Sequence, residues 1–430
     1  MPALGKQSDI RKDRGQQRHA GDDQRRCAAS IYGAVPMIDT RHSSGANPRN
    51  QTDSTDLGHN HHLVTVSDPR CIYPAIELAF SYRIARGARN YLFRNVPLWL
   101  ASALPALLPG SAAAHVKWFA SYNISAAPNP LGNVFSPFFG QLAVFSILLL
   151  WVVSRIETIG IGRTVIAGLD DLTAPLQARS EVLLRAGSGA FFIALWAQGA
   201  VILTPELATQ VMWIGWLQAA IAIGLFWRGT LALSGGGIVL LFCLGIRDYG
   251  LFHMLDYPIF LGLAGYLILS GWHIDPFGRP PTVLLRWSAA VTLMWASIEK
   301  WAYPDWTFPL LDLHPKITLG LSHSLFMTTS GMVEFGCAFA LIWTPLVRRL
   351  AAVALVSTFT SAIFEFGKVD AIGHLPIIAA LLVFVAEQSG GVGSRVALMR
   401  QPNRVGAFYA LCLLGFIVAY YGLHALLITG

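Results

Sequence analysis

Charge is scarce in this chain. Asp, Glu, Lys and Arg make up 13% of its 430 residues, about half the share usual in soluble domains. Hydrophobic residues make up 54%. That balance leaves too few polar residues to give every helix a water-facing side, which argues against a soluble all-helical protein. Paired cysteines are missing too. Cys27, Cys71, Cys243, Cys337 and Cys412 form no C-x-x-C motif, and three of them lie inside apolar runs. This disfavours a membrane thiol oxidase and fits small packing residues. The chain also lacks the G-x-x-x-x-G-K-[ST] loop of ATP-driven transport, the G-x-S-x-G elbow of serine hydrolases, and any haem, flavin or iron–sulfur motif. No cofactor is evident from motifs.

What the chain has in abundance is apolar runs, beginning near residue 92. A bilayer crossing takes ~20 mostly apolar residues. The expected fold is therefore all-α, a polytopic transmembrane bundle whose partner is the lipid bilayer. About eleven spans are expected, at 95–110, 138–155, 182–203, 209–227, 229–246, 250–271, 283–302, 319–343, 347–365, 370–387 and 405–427. The first is short and carries Pro97 and Pro105, marks of a kinked or re-entrant segment. Ahead of the spans, residues 1–70 are polar and poor in aromatics, the composition of a disordered tail. Residues 71–94 mix Ile72, Ile76, Phe80 and Ile84 with Arg83, Arg86, Arg89 and Arg94, as a basic interfacial helix would. Residues 95–181 hold two additional spans and their loops.

The formal charge of +7 follows the membrane pattern rather than a nucleic-acid stripe. With a cytoplasmic N-terminus, the inner ends hold Arg155, Arg185, Arg228, Arg286, Arg348 and Arg349 among others, and the outer ends only Lys117, Arg247, Lys300, Lys316 and Lys368. The C-terminus then lies outside, and 111–137 is an irregular external loop.

Two stretches match. Val182-Leu-Leu-Arg185 and Val283-Leu-Leu-Arg286 each open a block of about four apolar segments. At this offset Gln198 falls on Glu299; aligned span by span, Gln218 falls on Glu334 in the next span and Asp256 on His374 in the fourth. The blocks 182–271 and 283–387 thus read as two four-helix units in parallel repeat, with 405–430 as a final span. Only the second block keeps a dense set of ionisable residues, so it is expected to carry the site and the first to scaffold it.

Ionisable groups at membrane depth cost ~2.5–3.5 kcal/mol each and usually face a cavity or a partner. Glu299, Glu334 and His374 are the candidate proton-exchanging residues, and Lys300, His323, Glu365 and Asp370 the candidate binding residues. All but the deeper Glu334 fall near the outer ends of spans, where four helices could converge on one mouth. Each also has a plainer reading, as an interfacial, snorkelling or helix-bridging side chain. His253 and Asp256 leave some polarity in the first block, read mainly as packing. Ser234-Gly-Gly-Gly reads as a close helix contact.

At these residues the chain resembles the DoxX-like family of four-helix membrane proteins. The likeness rests on Arg286, the run to Ile298, Glu299-Lys300 and Pro304, then Glu334-Phe-Gly-Cys-Ala-Phe-Ala, and Thr344-Pro-Leu-Val-Arg-Arg. It covers 283–387, and 182–271 more faintly. The resemblance implies a bacterial inner-membrane protein, with some relatives linked to quinone-dependent sulfur oxidation or redox homeostasis. Three functions follow: a quinone-linked redox protein working with a redox partner, a non-enzymatic membrane partner or assembly factor, and a proton-coupled carrier of a small solute.

Overall fold

The computed structural model describes residues 116–388 and 401–428. The expected tail at 1–70, the basic helix at 71–94 and the first span at 95–110 lie outside the described residues. Every described residue belongs to one compact unit of the chain. Among the described residues the fold is all-helical, with one isolated antiparallel bridge between Val201 and Ala208.

The main helices are α1 (Pro137–Thr158), α2 (Gly160–Gln177), α3 (Ser180–Gln198), α4 (Trp213–Gly224), α5 (Leu231–Tyr249), α6 (Pro258–Gly271), α7 (Thr282–Ala302), α8 (His323–Leu341), α9 (Pro345–Phe366), α10 (Lys368–Ala386) and α11 (Val405–Leu427). Seven segments, containing α1, α3, α5, α8, α9, α10 and α11, are long and apolar enough to cross a membrane. α4 and α6 are apolar but shorter. α7, with Arg286, Glu299 and Lys300, is not among the seven.

The ten expected spans within the described residues all fall on helices, with corrected ends. The span placed at 182–203 stops at Gln198, and that at 250–271 begins at Pro258 after a short turn, Leu251–Met254. α2 had no counterpart in the sequence reading. Its Asp170, Asp171 and threonines hide it from a search for apolar runs.

Each pair of consecutive helices from α3 to α10 is in contact, and α10 packs back against α3. The eight helices thus close a ring of neighbours, with α1 against α8 and α9, and α11 against α7 and α1. Glycines set two close approaches. A Cβ on Gly235 would stand 2.7 Å from Ala264 O on α6, and one on Gly237 the same distance from Ile221 Cγ1 on α4. This matches the close-contact reading of the glycine run. α9 meets α10 in a tight turn at Gly367, whose φ of 75° lies in the region glycine adopts without a Cβ clash.

Arginines gather at one end of the bundle. Buried Arg348 and Arg349 each donate to the Glu387 carbonyl at 2.9 Å, where α10 ends and cations are favoured. Arg286 pairs with the Glu387 carboxylate, and Arg349 also bonds Asp170 of α2. The opposite end holds the segment 116–136, the loops before α4, α6 and α8, and the turn at Gly367.

Candidate functional site

At that opposite end a cavity of about 80 Å³ opens between α6, α7, α8, α9 and α10. Thr292, Ala296, Glu299 and Tyr303 reach it from one face of α7, at the three- and four-residue spacing that aligns side chains along a helix. Lys300 joins from the same turn, Glu334 from α8, Phe359 from α9 and His374 from α10. Apolar walls come from Ile259, Phe260, Leu293 and Ile377.

Three charge groupings meet here. Lys300 Nζ lies 2.6 Å from Glu334 Oε2, joining α7 to α8. His374 Nδ1 lies 3.0 Å from Asp370 Oδ2, one turn back on α10, and Asp370 is fully buried. The His374 ring is stacked on Phe359, with centroids 4.6 Å apart, and lies 4.9 Å from the tilted Trp118 ring. The third grouping centres on a residue outside the repeats. Lys117 places its ammonium 2.5 Å from both Asp256 Oδ2 and Glu299 Oε2, with side chains 1%, 2% and 7% exposed.

Lys117 sits in a 3-10 turn, Val116–Trp118, within a strap across this end of the bundle. Further along, His424 Nε2 meets Ile124 O at 3.0 Å, Tyr303 donates to Ala126 O at 2.9 Å, and Tyr421 donates to Asn129 O at 2.6 Å. Gly373 admits the strap. A Cβ there would stand 2.0 Å from the Trp118 ring, so a side chain at 373 and the present position of Trp118 exclude each other. Burial pulls the Lys117 pKa down, but Asp256 and Glu299 more than offset this, and the net shift is upward. The nearby Tyr122 phenol is pushed up to about 12, chiefly by burial and secondly by Glu206.

The structure gathers part of the expected set. Glu299, Lys300, Glu334 and His374 line one cavity, with Asp370 bound to His374 behind it. His323 and Glu365 do not join them. His323 lies 3.6 Å from exposed Asp312, and Glu365 lies 2.7 Å from His314. Both therefore leave the group expected at a common mouth. They sit at helix ends whose outer side faces solvent rather than the cavity.

The assignment of the first block to scaffolding alone is corrected too. Asp256 belongs to that block and lines the same cavity as Glu299. Gln198, the counterpart of Glu299, is exposed. Gln218, the counterpart of Glu334, donates to Val201 O and Ile202 O at 2.8 and 2.9 Å, which is scaffolding. Lys117 was expected to be an external-end cation, and Glu206 was not singled out at all. No local signal marks either one. An ion pair spanning 139 residues of sequence has no periodicity to read. None of the described cysteines lines this cavity, and no His, Cys, Asp and Glu grouping among the described residues suits a metal ion.

Comparison with known protein families, curated proteins and solved structures finds no match to this chain.

Proposed function

We propose that this chain is a multi-pass protein of the bacterial inner membrane. In this reading it has DoxX-like architecture, with the arginine end of the bundle in the cytoplasm and the cavity end outside. The seven long apolar segments support the bilayer reading. So do the large apolar side chains on outward helix faces, including Phe145, Trp216, Leu233, Phe364, Leu411 and Val418, each 63–87% exposed. So much exposed apolar surface suits lipid rather than water. The neighbour ring supports a tandem repeat, because α3–α6 and α7–α10 make the same sequence of contacts and α6·α7 is mirrored by α10·α3.

The cavity serves, in this proposal, a quinone-linked redox reaction. One observation carries the reading: Glu299, Lys300, Glu334 and His374 share a cavity with an apolar wall. A quinone needs polar contacts for its head and an apolar slot for its tail. Lys300 and His374 would donate hydrogen bonds to the carbonyl oxygens. A quinone takes up two electrons and two protons on reduction, and the electrons would come from a redox partner protein. The Lys117–Glu299 and Lys300–Glu334 pairs hold positions from which the lysine protons can reach the cavity, leaving the carboxylates to be reprotonated from outside. At about 80 Å³ the cavity is well below the ~300–1,000 Å³ of sites that hold ring-sized ligands. Access for a ring therefore requires Trp118 to withdraw. The test is quinone binding and reduction by the purified full chain in lipid nanodiscs. Saturable binding weakened by Glu299→Gln and Glu334→Gln is expected, and a protein that binds no quinone ends the reading.

A second reading, a proton-coupled carrier, draws support from the strap that lies over a small cavity lined by Glu299, Glu334 and His374. It predicts substrate-dependent proton movement in proteoliposomes, which the redox reading does not.

A further inference from the structure

The Lys117 ammonium sits in a cage that would suit any primary amine. Asp256 precedes α6 and Glu299 comes from α7, so two carboxylates face the nitrogen at 2.5 Å from separate elements. The rings of Tyr122 and Trp306 each stand 5.6 Å from it, within cation–π range. Carboxylates bearing on the charge and aromatic faces covering the alkyl stem are the chemistry by which proteins recognise organic ammonium groups.

The surroundings hold more negative charge than Lys117 neutralises. Beyond Tyr122, the Glu206 side chain is 3% exposed, and among the described residues neither of its oxygens has a hydrogen-bond partner. His253 Nε2 lies 3.8 Å from it, itself without a hydrogen-bond partner among the described residues. A buried carboxylate left this way is costly, and a cation entering here would relieve it. The turn carrying Lys117 is held by the two Lys117 ion pairs and by the seat of Trp118 beside His374. Phe119 N and Ala120 N bond to Val116 O within the turn itself. Among the described residues, the strap carbonyls that accept from the α7 end and α11 are those of Ile124, Ala126 and Asn129.

We propose that Asp256, Glu299, Tyr122 and Trp306 form a binding site for the primary ammonium group of a small organic amine. Lys117 fills the site as a tethered occupant when the strap is closed. An amine ligand takes its place when the turn at 116–118 withdraws. The site shares Glu299 and the withdrawal of the turn with the quinone reading, but amine binding needs no electron transfer, so its test stands or falls apart from quinone reduction.

The test uses the full chain in detergent, titrated with n-propylammonium chloride against sodium chloride at equal ionic strength. Lys117→Ala empties the cage. Its Tm should rise saturably with the amine, by about 2 °C at ten times the dissociation constant, and not with sodium. The rise should vanish in Lys117→Ala/Glu299→Gln. In the wild type, amine but not sodium should increase deuterium uptake in the peptide containing 116–122. A folded Lys117→Ala protein indifferent to the amine overturns the proposal. If that variant fails to fold, unchanged uptake in the wild type overturns it alone.

Discussion

The Lys117 ammonium lies 2.5 Å from the Glu299 carboxylate, and both side chains are almost wholly buried. One belongs to a strap outside the apolar repeats and the other to α7. The contact ties the closure of the cavity to the charge state of its wall. Removing one partner strands buried charge, so the Lys117→Met protein should lose about 3–5 kcal/mol of stability. Lys117→Met with Glu299→Gln and Asp256→Asn should recover most of it. Chemical denaturation of the three proteins in one detergent checks this.

Gly373 is the steric condition for Trp118. Gly373→Leu should expel the indole from its seat beside His374 and cost about 1–3 kcal/mol through overpacking. Hydrogen exchange would report faster uptake in 116–122 with α5 and α6 unchanged.

Lys300 and Glu334 should behave as a coupled pair, and His323 and Glu365 as bystanders. A double-mutant cycle with Lys300→Met and Glu334→Gln should return a coupling of about 1–3 kcal/mol. His323→Ala and Glu365→Gln should each stay within about 0.5 kcal/mol of wild type. Equal effects at all four positions would contradict the separation of the cavity from the exposed pairs.

The strap should hold through alkaline pH. Lys117 has a folded-state pKa raised above its unfolded value, near 10.4. Its stabilisation is then complete below about pH 10 and fades only as pH climbs toward the folded value. The Tm difference between wild type and Lys117→Met should therefore be flat from pH 8 to 10 and shrink above that. A difference that collapses between pH 8 and 9 would contradict the ion pair.

Much of the architecture was readable from composition and spacing. Apolar runs locate α1 and α3–α11 because these helices are hydrophobic nearly all round. Glu299, Glu334 and His374 stood out for the complementary reason, as charge inside such runs. α2 did not, since Asp170 and Asp171 give it the look of a loop, and Asp170 gains its meaning only beside Arg349.

By itself, then, the amino-acid order determined which segments are helices and which ionisable residues are expensive to bury, because both depend on near neighbours in the chain. Only the tertiary structure decided that Lys117, Asp256 and Glu299 meet, that Gly373 makes room for Trp118, and that His323 and Glu365 face away. Such pairings depend on which helix faces oppose one another when the ring closes, and no local pattern encodes that.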